Sequence, residues 1–538
     1  MQPEKPALFR IGVIIESFLQ PRWVRKSLEN ALATELCTFA LVVEVKPQTN
    51  NSGSLLYRLY NRMDRRLFPT PATELVSVED LFSEAIVIDD VNKIPQFDLH
   101  LLINFAAPEW NEKLSRSSKN GVWFHHFGEP GFDEVLFESS TSSSTLRSLK
   151  GDEEQILYHS SAPTLSRFSV GLSNNTRYWK TAAFVARMLK EIRLGGGKKL
   201  FTFDHRYGGV THLPDNVLMG RLFFRLSRRA AVRAIEKLTS FDQWILAYRF
   251  ERGEFKYLMP PDGHFWADPF QIKVDDKYYI FFEDYVNSAG RAHISVVEVD
   301  QNGIVSGPTE VLKLDCHLSY PFVFEWQGDY YMIPETGERN VVELYRAQSF
   351  PFDWKPEKIL LEARSPLDAT LIETEGMWWM FVNIQEEGVA VNWDELHLYY
   401  AESPLGPWRP HARNPVVSNV KSARPAGRLF WSNNVLYRPS QDSSLRYGYA
   451  TTISRVAHLS TTTYTETEVL KILPDWDTDI IGIHTLNLTD EMTVIDCLMK
   501  RRRFGKVRPQ PVRGSLDFLS SANMEDAALK SARTASAD

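Results

Sequence analysis

Eight side chains in the second half of the chain have the types and spacing to do chemistry together. Asp268, Tyr320, Asp368, Arg424 and His484 follow one another at offsets of 52, 48, 56 and 60 residues. Each opens a short phrase: Asp268-Pro-Phe-Gln, Tyr320-Pro-Phe-Val, Asp368-Ala-Thr-Leu, Arg424-Pro-Ala-Gly and His484-Thr-Leu-Asn. About ten residues on, each phrase is followed by an aromatic or apolar run, and the first three runs end on Glu283, Glu335 and Asn383. Carboxyl groups brought together can act as general acid and base. Asp268, Asp368, Glu335 and Glu283 are therefore the catalytic candidates. Arg424 and His484 suit a phosphate or carboxylate on a ligand. With Tyr320 and Asn383 they form the candidate substrate-binding set. No metal site is expected.

The elements that must hold these residues follow from the repeat. Spacing within each copy is gap-free, so the variation between copies lies in loops. A third strand follows the first four pairs: His293–Val299, Val341–Ala347, Glu395–Ala401 and Leu445–Ala450. Outer-strand segments are read at Ser349–Trp354 and Ser403–Trp408. The fifth copy ends near residue 500 without a third strand, and a matching run, Trp244–Phe250, stands before the first copy. Four strands in a unit of about 54 residues, with one strand borrowed across the ends, describe a closed five-bladed β-propeller over 241–506. The start of each innermost strand and the end of the next then meet at one mouth of the axis. The second ring at that mouth is Glu283, Glu335, Asn383, Pro439 and Met499. Convergent ionisable groups in a concave place are a functional signal.

The first half reads as α/β. Arg10–Ile15, Thr38–Val45, Asp98–Phe105 and Gly121–His126 are buried-strand patterns, Pro21–Leu32 has helical spacing, and Thr181–Ile192 is a closing helix. The polar stretches 46–74 and 139–150 are read as loops and Gly195–Lys199 as a hinge. The domain organisation expected is thus multidomain: α/β over 8–195, a linker with a basic helix over 196–240, the all-β propeller over 241–506, and a disordered tail over 507–538. The helix, 213–237, carries Arg221, Arg225, Arg228, Arg229 and Arg233. A solvated linker is the expected role, and contact with an anionic membrane is the alternative.

Composition narrows the class. The 538 residues are 43% hydrophobic and 24% charged, with a net charge of −7, so no global basic field argues for nucleic acid. Cys37, Cys316 and Cys497 lie far apart without metal spacing, which points to free thiols in a reducing compartment. Neither a signal peptide nor a stretch of about 18 apolar residues is read, and a cytoplasmic location is expected.

Two resemblances sharpen these expectations. Phe265-Trp-Ala-Asp-Pro-Phe270 with Tyr278-Tyr-Ile-Phe-Phe-Glu283, and Ala401-Glu-Ser-Pro-Leu-Gly-Pro-Trp408, resemble blades of furanosidase, arabinanase and invertase-type glycoside hydrolases. More closely, 241–506 resembles the propeller region of the plant glucosamine inositolphosphorylceramide transferases. The hydrolase pattern implies a base or nucleophile, a pKa modulator and a general acid at successive blade starts. Asp268 matches the first, Tyr320 stands at the second and Asp368 at the third, so Glu335 or Glu283 would supply the acid. In the first half, Gly121-Val-Trp-Phe-His-His-Phe-Gly128 resembles the formyltransferases of aminosugars and initiator tRNA. That resemblance implies a Rossmann-type sheet with His125 or His126 as the catalytic His. Trp123 or Phe124 stands where the family has Asn, and Gln155–Leu165 lacks the family's Asp. Formyl-tetrahydrofolate would be a cofactor only if this domain is active; the propeller needs none. Three functions follow as expectations. The first is an enzyme that cleaves or transfers a glycosyl unit of a cell-surface glycan or sugar phosphate, with a carbohydrate or sugar nucleotide as substrate. The second is an aminosugar N-formyltransferase with a glycan-binding propeller. The third is a non-catalytic carbohydrate-binding scaffold.

Overall fold

The computed structural model describes residues 8–46, 53–127, 132–166, 168–195, 214–251, 253–388 and 391–503. The chain forms two compact units that divide between residues 229 and 230, with the short stretch 387–390 grouped with the first.

The first unit is built on a seven-stranded sheet. Its strands are β1 (Phe9–Ile15), β2 (Cys37–Glu44), β3 (Ile86–Ile88), β4 (Leu101–Asn104), β5 (Val122–His126), β6 (Thr141–Lys150) and β7 (Glu153–Pro163), in the spatial order β3-β2-β1-β4-β5-β6-β7. The first five run parallel; β6 is antiparallel to β5 and β7 to β6. Alternation sorts each strand between two cores. Ile11, Val13 and Ile15 face a core shared with helices α1 (Arg22–Leu32) and α4 (Phe184–Arg193), while Ile14 joins Leu41, Val43 and Leu102 on the other face. Between α1 and α4 in sequence lie α2 (Leu55–Leu67) and α3 (Val170–Thr181), with serine caps at Ser54 and Ser169.

Two of the expected loops are corrected here. The segment 46–74 contains α2, and 139–150 contains strand β6. In β6 the small hydroxyl residues Ser142, Ser144, Thr145 and Ser148 are buried between β5 and β7. Turn-forming composition was overridden by a place in a sheet, paired with β7 along its length and with β5 over Thr145–Leu149. The hinge, beyond Gly195, and the tail 507–538 lie outside the described residues.

The second unit is a five-bladed propeller. Its blades start on inner strands His264–Val274, Ser319–Trp326, Leu367–Thr374, Phe430–Ser432 and, in blade five, Ile480–Gly482 with Leu486–Leu488. Blade five is completed from the other end of the domain. Met492–Arg502 pairs with Ser240–Phe250 over eleven antiparallel positions, and Lys256–Leu258 adds the outer strand. The third strand of blade four is Ala450–Leu459, not Leu445–Ala450, and 350–352 and 402–408 are connections rather than outer strands.

The innermost strands of blades one, two and three share one irregularity. Each carries a single extra residue, between Ala267 and Phe270, Ser319 and Phe322, and Leu367 and Thr370. Asp268, Tyr320 and Asp368 sit in these bulges with φ of +50°, +43° and +56°. Left-handed backbone is costly for such residues. A bulge breaks the alternation of the strand and re-aims one side chain, and here it does so three times at the same place.

Candidate functional site

A cavity of about 300 Å³ opens at one end of the propeller axis. Asp268, Glu283, Glu335, Arg424 and His484 all line it, so five of the eight residues named from the propeller sequence converge. Trp244, Phe265 and Tyr447 add aromatic surface and His317 adds a second imidazole.

Arg424 lines the cavity and is tied to Asp368, which does not. The guanidinium donates from Nε to Asp368 Oδ2 at 2.5 Å, and from Nη2 to Asp368 Oδ1 and to Glu335 Oε2, both at 3.2 Å. Gln441 Nε2 adds a donor to Asp368 at 3.0 Å. Asp368 is wholly buried, and two donors hold it in place. It therefore works through Arg424 and Glu335 instead of reaching into the cavity. Burial, with Asp368 close by, raises the Glu335 carboxyl well above its ordinary range in spite of Arg424.

A second cluster joins blade one to blade five. Asp496 accepts from the backbone N–H of His484 (2.9 Å), Thr485 (3.0 Å) and Asp268 (3.1 Å), and from His484 Nδ1 at 2.5 Å. Thr485 Oγ1 donates to Asp268 Oδ1 at 2.6 Å. Ligand atoms of Asp268, His484 and Asp496 lie within 4.8 Å of one another. Hydrogen bonds use both Asp496 oxygens and the imidazole Nδ1. Burial, opposed by His484 and aided by Glu283, Asp368 and Asp496, pushes Asp268 up to about 7. Burial works against the charge on His484, but Asp496 and Asp268 outweigh it and push the imidazole up to about 9.

The fold therefore holds this proton more tightly than the unfolded chain, in which a histidine titrates near 6.5. The stability it contributes is full below about pH 6.5 and is lost as the pH climbs through about 9. The melting temperature should fall by several degrees between these values. A melting series in which His484→Gln shows the same fall as the parent would refute this.

Glu283 receives His317 Nε2 at 3.2 Å, and that bond raises the imidazole against the effect of burial. Trp244 stacks on His484 at 4.0 Å. Tyr447 stacks on Trp393 at 5.4 Å and lies 5.2 Å from the Arg424 guanidinium.

Tyr320 takes a different place from its ring neighbours. It is fully buried, its hydroxyl shares a hydrogen with Thr370 Oγ1 at 2.8 Å, and it accepts from the Gly427 N–H at 2.7 Å. These bonds carry blade two across to blades three and four. Arg428 lies against Phe270 and Phe322 and donates to the Val323 carbonyl, which adds a further bridge. Tyr320 does not line the cavity; it spans the axis. Tyr320→Phe should cost about 1–3 kcal/mol in denaturant unfolding through the orphaned Gly427 N–H, with sugar affinity unchanged. Asn383 is also fully buried and off the cavity lining, and neither of its side-chain amide atoms has a hydrogen-bond partner among the described residues.

Sequence offsets missed several contributors. Blade four has no bulge like the first three: Gln441, not Pro439, faces Arg424, through its N–H to the Arg424 carbonyl at 2.8 Å. In blade five Asp496 takes the place expected of Met499, which is in the core. Tyr447 lies in a connection read as strand, and Trp244 and His317 come from outside the repeated phrases.

In the first unit, His125 is enclosed by the rings of Trp23, Phe105, Phe127 and Phe184, and neither ring nitrogen is hydrogen-bonded. Burial of its ring nitrogens pushes it down to about 3, so this half-buried histidine is neutral. His126 is exposed at the strand end.

Residues 259–477 match the family described as glucosamine inositolphosphorylceramide transferase 1, N-terminal. Proteins named glucosamine inositolphosphorylceramide transferase 1 from Oryza sativa subsp. japonica and Arabidopsis thaliana are each 37% identical over 211 residues, 38% of this chain. The match covers only 28% and 27% of their lengths. Among solved structures, the chain is similar to a family 117 glycoside hydrolase from Zobellia galactanivorans (16% identity, TM-score 0.31, 48% of this chain and 90% of the other). It is also similar to the RS223 β-xylosidase (12% identity, TM-score 0.33, 46% and 96%).

Proposed function

We propose that the propeller cavity binds the end of a carbohydrate and cleaves or transfers a glycosyl unit there. One observation carries this: three carboxyl groups, Asp268, Glu283 and Glu335, share a cavity of about 300 Å³ with Trp244, Phe265 and Tyr447. Carboxylates accept the hydroxyls of a sugar, and aromatic faces pack against its C–H surface. The names of the plant relatives, which specify transfer of glucosamine, support a carbohydrate ligand.

The roles divide by environment. Glu335, holding its proton beside Arg424, is the general acid; Asp268, titrating near 7, is the base or nucleophile. Asp368 and Gln441 fix Arg424, and Glu283 with His317 holds a hydroxyl. Arg424 is matched to the Asp368 carboxylate and His484 to that of Asp496. That favours a neutral glycan over a sugar phosphate. The bridges of Tyr320 and Arg428 below the cavity favour recognition of a chain end. Three buried thiols fit a cytoplasmic setting in the assembly of a surface polysaccharide.

The first unit's five parallel strands followed by β6 and β7 support the formyltransferase-like reading of its sheet. The neutral His125, its ring nitrogens shielded by aromatic rings, and the absent Asn favour a domain without that chemistry. A binding screen of oligosaccharides and sugar nucleotides, with mass spectrometry of the products, tests the whole reading. Release or transfer of a sugar supports it. Binding without turnover leaves a scaffold, and formyl transfer from formyl-tetrahydrofolate would move the activity to the first unit.

A further inference from the structure

The helix before the propeller, α5 (Asn216–Thr239), has two opposite faces with different fates. Met219, Leu222 and Leu226 point one way and are buried with Tyr60, Val135, Leu136 and Val170. At 100° per residue, Val217, Arg221, Phe224, Arg228, Ile235 and Leu238 fall within an arc of about 100° on the other side. The apolar members of that arc are exposed: Val217 by 64%, Phe224 by 74%, Ile235 by 60% and Leu238 by 71%. A helix stripe of this size left in water needs an explanation. Arg221 and Arg228 stand in the same stripe, exposed, and no carboxylate pairs with them among the described residues. Glu138 draws instead on Arg225 and Arg229, at the flank. Six basic residues and a single acid, Glu236, make this helix strongly positive in a chain of net charge −7.

We propose that this face of α5 lies on an anionic lipid surface. Charge selects the occupant. A second copy of the helix would set Arg221 and Arg228 against their own counterparts, a like-charge seam. A nucleic acid would use the arginines but leave Phe224, Ile235 and Leu238 in water. An anionic bilayer uses both: the apolar side chains enter the boundary between headgroups and acyl chains, and the arginines extend to lipid phosphates. No helix among the described residues is long and apolar enough to cross a membrane, so the contact is with the surface.

The test is vesicle flotation of the full chain. Vesicles of phosphatidylcholine alone are compared with vesicles containing about one-third phosphatidylglycerol, at low and high salt. The expected result is at least about tenfold stronger binding to the anionic vesicles, weakened by salt. Both Arg221→Glu with Arg228→Glu and Phe224→Glu with Ile235→Glu should abolish it. All four positions are exposed, and unchanged melting curves confirm folding. Absence of binding, or equal binding to both vesicles, overturns the proposal. So does full binding by the Phe224/Ile235 variant, which would leave a purely electrostatic polyanion site. A dimer in light scattering that dissociates in that same variant would assign the face to a second copy.

Discussion

Asp268→Asn is expected to lower turnover of the glycan substrate by about a hundredfold to ten-thousandfold while leaving the fold intact. The amide keeps the shape and still accepts from Thr485 Oγ1, which lies 2.6 Å from the carboxyl in the parent. What it loses is the capacity to take a proton or attack. Glu335→Gln should show a loss of similar size for a different reason, because the leaving oxygen then receives no proton. The two are separable. A substrate with an activated leaving group, such as a nitrophenyl glycoside, needs no protonation, so it should restore Glu335→Gln and not Asp268→Asn. The parent should gain activity as the pH rises through about 7, where Asp268 ionises. If both variants keep full activity on a sugar that the parent turns over, the roles given to them are wrong.

The second large effect concerns stability. Asp496→Ala should lower the unfolding free energy by about 3–5 kcal/mol. Asp496 is wholly buried and accepts three backbone N–H groups and the His484 imidazole. Alanine would orphan all three amides and strip the charged ring of its nearest counter-charge. Asp496→Asn keeps acceptor capacity and should lose less. Urea unfolding at neutral pH decides the matter, and an unchanged midpoint for the alanine variant would mean that the clasp contributes nothing to closing the propeller.

The propeller was legible because its inner strands repeat aromatic and β-branched runs with fixed internal spacing, and because Trp244–Phe250, before the first copy, supplies the strand that the fifth copy lacks. Half of the site was legible by the same repeat. Asp268, Glu283 and Glu335 keep register with one another, since blades one and two share the same bulge. Gln441 and Asp496 fell outside because the inner strands of blades four and five break their pairing differently, and a displacement of two or three residues changes which side chain meets the mouth. Tyr447 and His317 come from connections, where no period operates. Strand β6 was hidden for the opposite reason. Its Ser and Thr residues look like turn-formers until β5 and β7 are placed on either side.

The borrowed strand also sets an order of events. Ser240–Phe250 pairs with Met492–Arg502, so the two halves of blade five are separated by about 240 residues of chain. During synthesis the early strand must wait, its edge unpaired, until nearly the whole domain has emerged. Closure is thus the most non-local strand pairing in this unit. A chain cut short before Met492 would retain four complete blades and an open edge for other strands to join.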